Sequence, residues 1–518
     1  MEFRYLESDE IPKLSWCGCL EKGNDEVFVV HGNGVETTDR CFHEGVWSGQ
    51  FADHAIDQAI MMSGSGARVF KDDVLFVTPS HLGEKIYTAQ RGSLFYAANS
   101  LTCLFAALGE KPSIDEPDYH FRVLESYRRG NSVECIDLKT DSGNSIQIRN
   151  TANFYVGRDL QIRVTPKPVS PFPKNFDIYI ESLREVSARL IANATDVQRK
   201  QSFIPLTTVS VGYDSTAVAA LAVSLGYSDA LCIQSTLEDG RSVAERLGMN
   251  VMTIDREAFM RKKCNSSEFY VLGLGHASVF SEVESELPGR LLLTGYYGDS
   301  IWSLNREIFE GAEISSMPTP EGISHAEFRL RVGYCTMALA SFGAEHGVQI
   351  QAVSRSREMR AWQTRPRSYS RPIPRRMVEA QGVPRGFFGQ VKKATGHVFI
   401  WDSMSPSLKR EFRNFLAQIP ETLLEDRRSL AARAGGFGIK LAYFVLSKVP
   451  RRFVQFHRSI QRWRYVARTH WLWASKELYA YHWAIEKNIP RYNAVRKKLD
   501  DLLGKPCKQT PFHKEARD

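Results

Sequence analysis

Residues Thr207 to Leu225 read TTVSVGYDSTAVAALAVSL, and this stretch decides the fold. The β-branched run Thr207, Thr208, Val209, Val211 predicts a buried strand. It passes through Gly212-Tyr213-Asp214-Ser215-Thr216 into an alanine-rich segment that predicts a helix. A helix that starts after a tight turn presents unpaired N–H groups and the positive end of its dipole above the strand, which suits an anion. Ser215 and Thr216 add hydroxyls. The Asp214 carboxylate would repel a bare phosphate but could hold Mg²⁺ against one, so the expected ligand is a metal-bound polyphosphate. The plainer alternative is an ordinary strand-to-helix turn capped by Asp or Ser.

Two well-known phosphate loops do not fit, because this turn has one glycine and no lysine. Ser210-Val211-Gly212-Tyr213-Asp214-Ser215 instead resembles the SGGxDS pyrophosphate loop of the N-type ATP pyrophosphatases, with Val211 in place of the first glycine. A second strand-to-turn passage lies at Leu291 to Trp302, LLLTGYYGDSIW. It resembles the GxGADE segment of the asparagine synthetases: Gly295, Gly298 and Asp299 match, and Ser300 replaces the glutamate. Two turns offering one Asp each would meet the need of Mg²⁺ for one or two carboxylates plus phosphate oxygens.

The chain around these turns supports alternation of strand and helix. Asp177 to Ala192 predicts an opening helix, Ala230 to Gln234 a strand, and Glu238 to Met249 (EDGRSVAERLGM) a helix, similar to one that follows the second strand in asparagine synthetase-like proteins. Short connections between such elements imply a doubly wound parallel sheet with its ligands at the strand C-terminal edge. Residues 350–400 are rich in Arg and Pro, and Arg371-Pro372-Ile373-Pro374-Arg375-Arg376 precedes an expected short helix. In the resembling family a Leu-Pro-helix-Arg-x-Lys segment brings a lysine to the adenylate, which by position implies Lys392 or Lys393 here. A cation there would stabilise charge developing in the transition state; a basic surface loop is the other reading.

Residues 1–164 alternate short apolar runs with turns and predict a strand-rich region with one helix near Phe51 to Met62. Tyr87 to Ser100, followed by LTCLFAALG, resembles the part of an asparagine synthetase glutaminase domain where a strand pair leads to a short helix, and Gly49-Gln50-Phe51-Ala52 is similar to that domain as well. The resemblance implies an Ntn-hydrolase-like α+β domain. Its chemistry is missing: such a glutaminase uses a cysteine at position 2, whose thiolate lies beside a free α-amine, and this chain has Glu2. The domain reads as a degenerate scaffold without glutamine hydrolysis, or as an unrelated β-rich domain.

Val164 to Lys174 holds four prolines and reads as a linker. The expected organisation is a degenerate glutaminase-like β-rich domain over 1–164, an ATP pyrophosphatase domain over 175–400, and a helical basic region over 401–518. With 518 residues, 43% apolar and 24% charged, the chain is long enough for two or three full cores. Nine scattered cysteines form neither a disulfide framework nor paired zinc-ligand spacing. The charged start and the lack of a run of about 20 apolar residues make export and membrane spanning unexpected, and predict a cytoplasmic protein.

Net charge is +8, but residues 441–518 hold 17 Lys and Arg against 6 Asp and Glu, a net of +11, which leaves −3 for residues 1–440. In that tail Phe444, Trp463, Trp471, Tyr479, Tyr481 and Trp483 are interleaved with arginines, over an expected helical region broken at Pro450 and Pro490. Such a stretch can meet an anionic surface, membrane or RNA, or pack its aromatics on its own domain.

The asparagine synthetase-like resemblance spans about residues 30–400. It implies an ATP-dependent carbon–nitrogen ligase with Mg²⁺, activating a small-molecule or peptide carboxylate as acyl-AMP for attack by an amine or ammonia. It implies Asp214 and Asp299 as metal ligands, Ser210, Gly212, Tyr213, Ser215, Gly295 and Gly298 around the pyrophosphate, and Lys392 or Lys393 in catalysis. The alternatives are a pyrophosphate-loop enzyme modifying RNA through the basic tail, and a non-catalytic ATP-binding scaffold.

Overall fold

A computed structural model describes residues 1–116, 119, 122–123, 136–150, 152–234, 239–273, 275, 277–304, 325–364, 369–390, 403–424 and 479–504. The N-terminal region is β-rich. Its strands are β1 (Glu2–Glu7), β2 (Trp16–Glu21), β3 (Glu26–His31), β4 (Glu36–Thr38), β5 (Cys41–His43), β6 (Val46–Trp47), β7 (Met62–Ser63), β8 (Gly66–Phe70), β9 (Asp73–Val77), β10 (Ile86–Arg91), β11 (Leu94–Ala98), β12 (Ile136–Lys139), β13 (Ser145–Arg149), β14 (Asn153–Val156) and β15 (Ile162–Thr165). Seven pair in the order β1-β3-β2-β11-β10-β13-β12, and six in the order β15-β14-β9-β8-β5-β4.

Side-chain alternation explains how these sheets stack. Trp16 and Leu20 of β2 and Val27 and Val29 of β3 join Phe42, Ala67, Phe76 and Phe154 of the other sheet in one apolar layer. Cys17, Cys19, Phe28 and Val30 point the other way, into a core shared with helix α1 (Leu101–Leu108). The strand pair β10–β11 turns directly into that helix, which Ser100 caps by accepting from the Cys103 amide. A strand pair leading to a short helix is what the sequence led one to expect here.

The helix expected near Phe51 to Met62 does not form. A single 3₁₀ turn at Ile56–Gln58 stands in its place, and Met62 opens β7. Tertiary contacts win over local pattern: Phe51, Ile56 and Met62 bury against Cys41 and Trp47, the Asn193 amide donates to the Gly49 carbonyl, and Arg199 lies over the Phe51 ring at 4.7 Å.

Helix α2 (Phe176–Ala194), capped by the Asn175 side chain, opens the second region. There follow β16 (Ile204–Val209), α3 (Asp214–Ser224), β17 (Asp229–Gln234), α4 (Arg241–Arg246), β18 (Asn250–Asp255), α5 (Arg256–Lys262), β19 (Arg290–Thr294), α6 (Gly298–Ile301), α7 (Ala326–Val332) and β20 (Cys335–Ala338). The five strands form one sheet in the order β18-β17-β16-β19-β20, with every neighbour parallel. The chain is therefore mixed α/β, with a β-rich N-terminal region and a parallel sheet. Helix α8 (Gly347–Arg355) and helix α9 (Pro372–Ala380) follow, and α9 packs on α3.

The later helices include α10 (Pro406–Leu416), which a further short helix at Glu421–Leu424 follows, and then α11 (Ala480–Asn488) and α12 (Asn493–Leu502); α10, α11 and α12 return to the body. A 3₁₀ turn at Ile489–Tyr492, containing Pro490, links the last two; Pro450 lies outside the described residues. Tyr479, Tyr481 and Trp483 are buried, and the Tyr481 hydroxyl donates to the Leu272 carbonyl. Lys487, Arg491 and Lys498 are ion-paired with Glu411, Glu268 and Glu10. This part of the tail turns its aromatics inward and pairs these cations within the chain. Among the described residues, no helix is long and apolar enough to cross a membrane.

Candidate functional site

Within the parallel sheet, β16 connects onward to β17 on one side while its other neighbour, β19, connects to β20 away from it. Strand order reverses between β16 and β19, and the crevice beyond the carboxyl ends at such a reversal is where open α/β sheets bind ligands. The two turns singled out in the sequence follow these two strands: Ser210 to Tyr213 leads from β16 into α3, and Gly295 to Tyr297 leads from β19 into α6. Two segments about 80 residues apart in sequence thus meet at one place.

They meet closely. A Cβ on Gly295 would overlap the Ser215 amide nitrogen, and one on Gly298 would overlap the Asp214 carboxylate. Any side chain at 295 would crowd the start of α3; glycine lets the second turn lie directly against it. Helix α3 itself starts without a side-chain cap. Tyr297, between these glycines, holds a left-handed φ of 74°, costly for a residue with a side chain. Its buried hydroxyl accepts from the Leu82 amide at 2.6 Å, which ties the turn to the N-terminal region.

The first loop is internally bonded. Ser210 Oγ lies 2.6 Å from Ser215 Oγ and accepts from the Gly212 amide at 3.0 Å, while Thr216 donates its hydroxyl to the Ser210 carbonyl at 2.6 Å. Tyr213 is buried, its ring 5.0 Å from Tyr369 and 6.0 Å from Phe388, so its place is in the packing beneath the loop. Val211 has no positive φ, so valine brings no backbone strain to the loop. Its carbonyl accepts from the Gly389 amide at 2.8 Å.

Asp214 and Asp299 converge, and a residue that the sequence did not mark stands between them. Arg371, at the start of α9, pairs through one terminal nitrogen with Asp214 Oδ2 and through the other with Asp299 Oδ1 at 3.0 Å. The guanidinium lies 5.4 Å from the Tyr369 ring centroid and is 5% exposed. Burial brings its pKa down to about 10, which leaves it charged at neutral pH. Asp214 Oδ1 is buried with no hydrogen-bond partner.

Could these residues hold Mg²⁺? Among the described residues, no group of three or more His, Cys, Asp or Glu side chains is arranged for a metal ion. Mg²⁺ needs no such cage: it commonly takes one or two carboxylates and fills its shell with water and phosphate oxygens. Two convergent carboxylates, one with an orphaned buried oxygen, fit that requirement, with Arg371 holding both of them.

Of the residues expected from the sequence, Ser210, Gly212, Asp214, Ser215, Gly295, Gly298 and Asp299 are together in the crevice, with Tyr213 below it. Lys392 and Lys393 lie outside the described residues. Glu2, at the position a glutaminase gives to its nucleophile, is exposed and ion-paired with Arg4, and Cys17 and Cys19 are wholly buried. Neither a scan against known protein families nor a search of curated proteins finds a significant match to this chain.

Proposed function

We propose that this protein is an ATP-dependent amide-forming ligase of the asparagine synthetase-like, pyrophosphate-loop type, with a β-rich N-terminal domain that resembles the glutaminase but lacks its nucleophile. The observation that carries the reading is the contact between the Ser210–Ser215 and Gly295–Asp299 turns at the point of strand-order reversal. The start of α3, with Gly212 and Ser215, would hold the pyrophosphate portion of ATP. Asp214 and Asp299 would hold Mg²⁺, which supplies charge neutralisation on the polyphosphate.

In the reaction, a substrate carboxylate oxygen attacks the α-phosphorus, and the bond to the β-phosphate breaks with its electron pair leaving on pyrophosphate. An amine or ammonia nitrogen then attacks the acyl carbon, AMP departs, and the nitrogen loses a proton. By resemblance, Lys392 or Lys393 would face the charge that develops in these steps.

One observation favours a second reading, a nucleotide-binding scaffold without catalysis: Arg371 sits on both carboxylates. The RNA-modifying alternative draws on the basic tail, in which Lys487, Arg491 and Lys498 are ion-paired within the chain. Exchange of labelled pyrophosphate into ATP across a panel of small carboxylates separates these readings. The ligase shows carboxylate-dependent exchange that Asp214→Ala abolishes. No exchange with any carboxylate, despite measurable ATP binding, supports the scaffold.

A further inference from the structure

The reading above leaves Arg371 without a task. It is buried against Tyr369 and bridges both carboxylates that a metal would need. We propose that Arg371 is the resident counter-ion of the nucleotide site, competing with the divalent cation for Asp214 and Asp299 and passing to phosphate oxygens when the metal-bound polyphosphate enters. The inference rests on the nucleotide reading and assigns the residue that controls metal entry there.

Three features support an exchangeable guanidinium. Arg371 meets Asp214 through Oδ2 alone, although Oδ1 is buried and without a hydrogen-bond partner, so the pair is not the bidentate fork that Arg–carboxylate recognition favours. Asp299 has 48% of its side chain exposed, so its carboxylate can be approached from solvent. The backbone of Arg371 is held because Pro372 opens α9 and α9 packs on α3. Exchange therefore needs only side-chain torsions.

Charge sets the direction. Asp214, Asp299 and Arg371 sum to −1, which repels a polyphosphate. Adding Mg²⁺ makes the sum +1, and the released guanidinium is a planar donor suited to phosphate oxygens. Without a nucleotide, a divalent cation must displace Arg371 with no anion to receive it. The apoprotein should therefore bind such a cation poorly.

Mn²⁺ serves as the probe, its free concentration read by electron paramagnetic resonance on nucleotide-free full-length protein. Arg371→Met should bind Mn²⁺ roughly tenfold or more tightly than wild type, through loss of the cation paired with both carboxylates, and should bind ATP with Mg²⁺ more weakly. Arg371→Lys, which keeps the charge without the fork, should lie between them and serves if the methionine variant does not fold. Equal or weaker Mn²⁺ binding by a folded Arg371 variant overturns the proposal and makes Arg371 a structural clamp. The Mn²⁺ titration contains no nucleotide, so it is distinguishable from failure of the parent reading, which is equal ATP affinity in wild type and Asp214→Asn.

Discussion

Arg329 and Arg371 are both buried between two carboxylates, and they differ in how those carboxylates are satisfied. Arg329 of α7 meets Glu44 at 2.8 Å and Glu84 at 2.7 Å, with all three groups buried. Glu44 also accepts from the Ser65 amide and hydroxyl, and Glu84 from the Gly64 amide and the Thr336 hydroxyl. Burial opposes the charge on Arg329, but Glu44 and Glu84 outweigh it and hold the guanidinium above its ordinary pKa. Arg371, by contrast, bridges one carboxylate with an orphaned oxygen and one that is half-exposed. The first trio joins the β-rich region to the parallel-sheet region with a partner on every carboxylate oxygen of Glu44 and Glu84, and reads as a lock. The second leaves Asp214 Oδ1 without a partner and stands at a strand-order reversal, where open α/β sheets bind ligands.

The largest expected effect falls on the lock. Arg329→Met leaves Glu44 and Glu84 buried without their cation and should cost about 3–5 kcal/mol in a denaturant or thermal melt. A loss below about 1 kcal/mol would remove the distinction between the two trios.

An effect of similar total size, spread over pH, concerns Lys85, which is 2% exposed and adjoins the lock: burial first, then Arg329 and Lys85, depress the pKa of His81. Burial lowers the pKa of Lys85 from 10.5 to about 7. Between those values the unfolded chain binds a proton that the folded protein does not. Stability should therefore rise with pH from 7 toward 10.5, by about 1.4 kcal/mol per unit for this group. Lys85→Met should remove that share of the slope; an unchanged slope would mean that the ammonium stays charged in the folded protein.

The smallest effect belongs to Arg371. Because water can rehydrate half-exposed Asp299 but not the mostly buried Asp214, Arg371→Met should cost about 1–3 kcal/mol, below the Arg329 variant, while cation affinity changes as described above. Equal destabilisation by the two substitutions would make both trios structural.

These differences also show what could be read from sequence. The Ser210–Ser215 and Gly295–Asp299 turns were legible because strand, turn and helix signals are local, and the parallel sheet followed from their alternation. Arg371 was not, because it lies 157 residues from Asp214 and precedes a proline helix with no signature of its own. The missed turn at Ile56–Gln58 has a similar cause: its apolar spacing serves a pocket completed by Asn193 and Arg199 from another part of the chain. In the tail, Tyr479 and Trp483 could have faced a partner or the core, and only the packed structure shows them inside.

The central claim is that the crevice between the two turns takes a metal-bound polyphosphate. A crystal structure of the protein soaked with ATP and Mg²⁺ tests it directly. The account predicts the pyrophosphate portion at the start of α3, between Ser210–Ser215 and Gly295–Gly298, with Arg371 released from Asp214 and Asp299. Nucleotide bound elsewhere, with Arg371 still bridging both carboxylates, would contradict it.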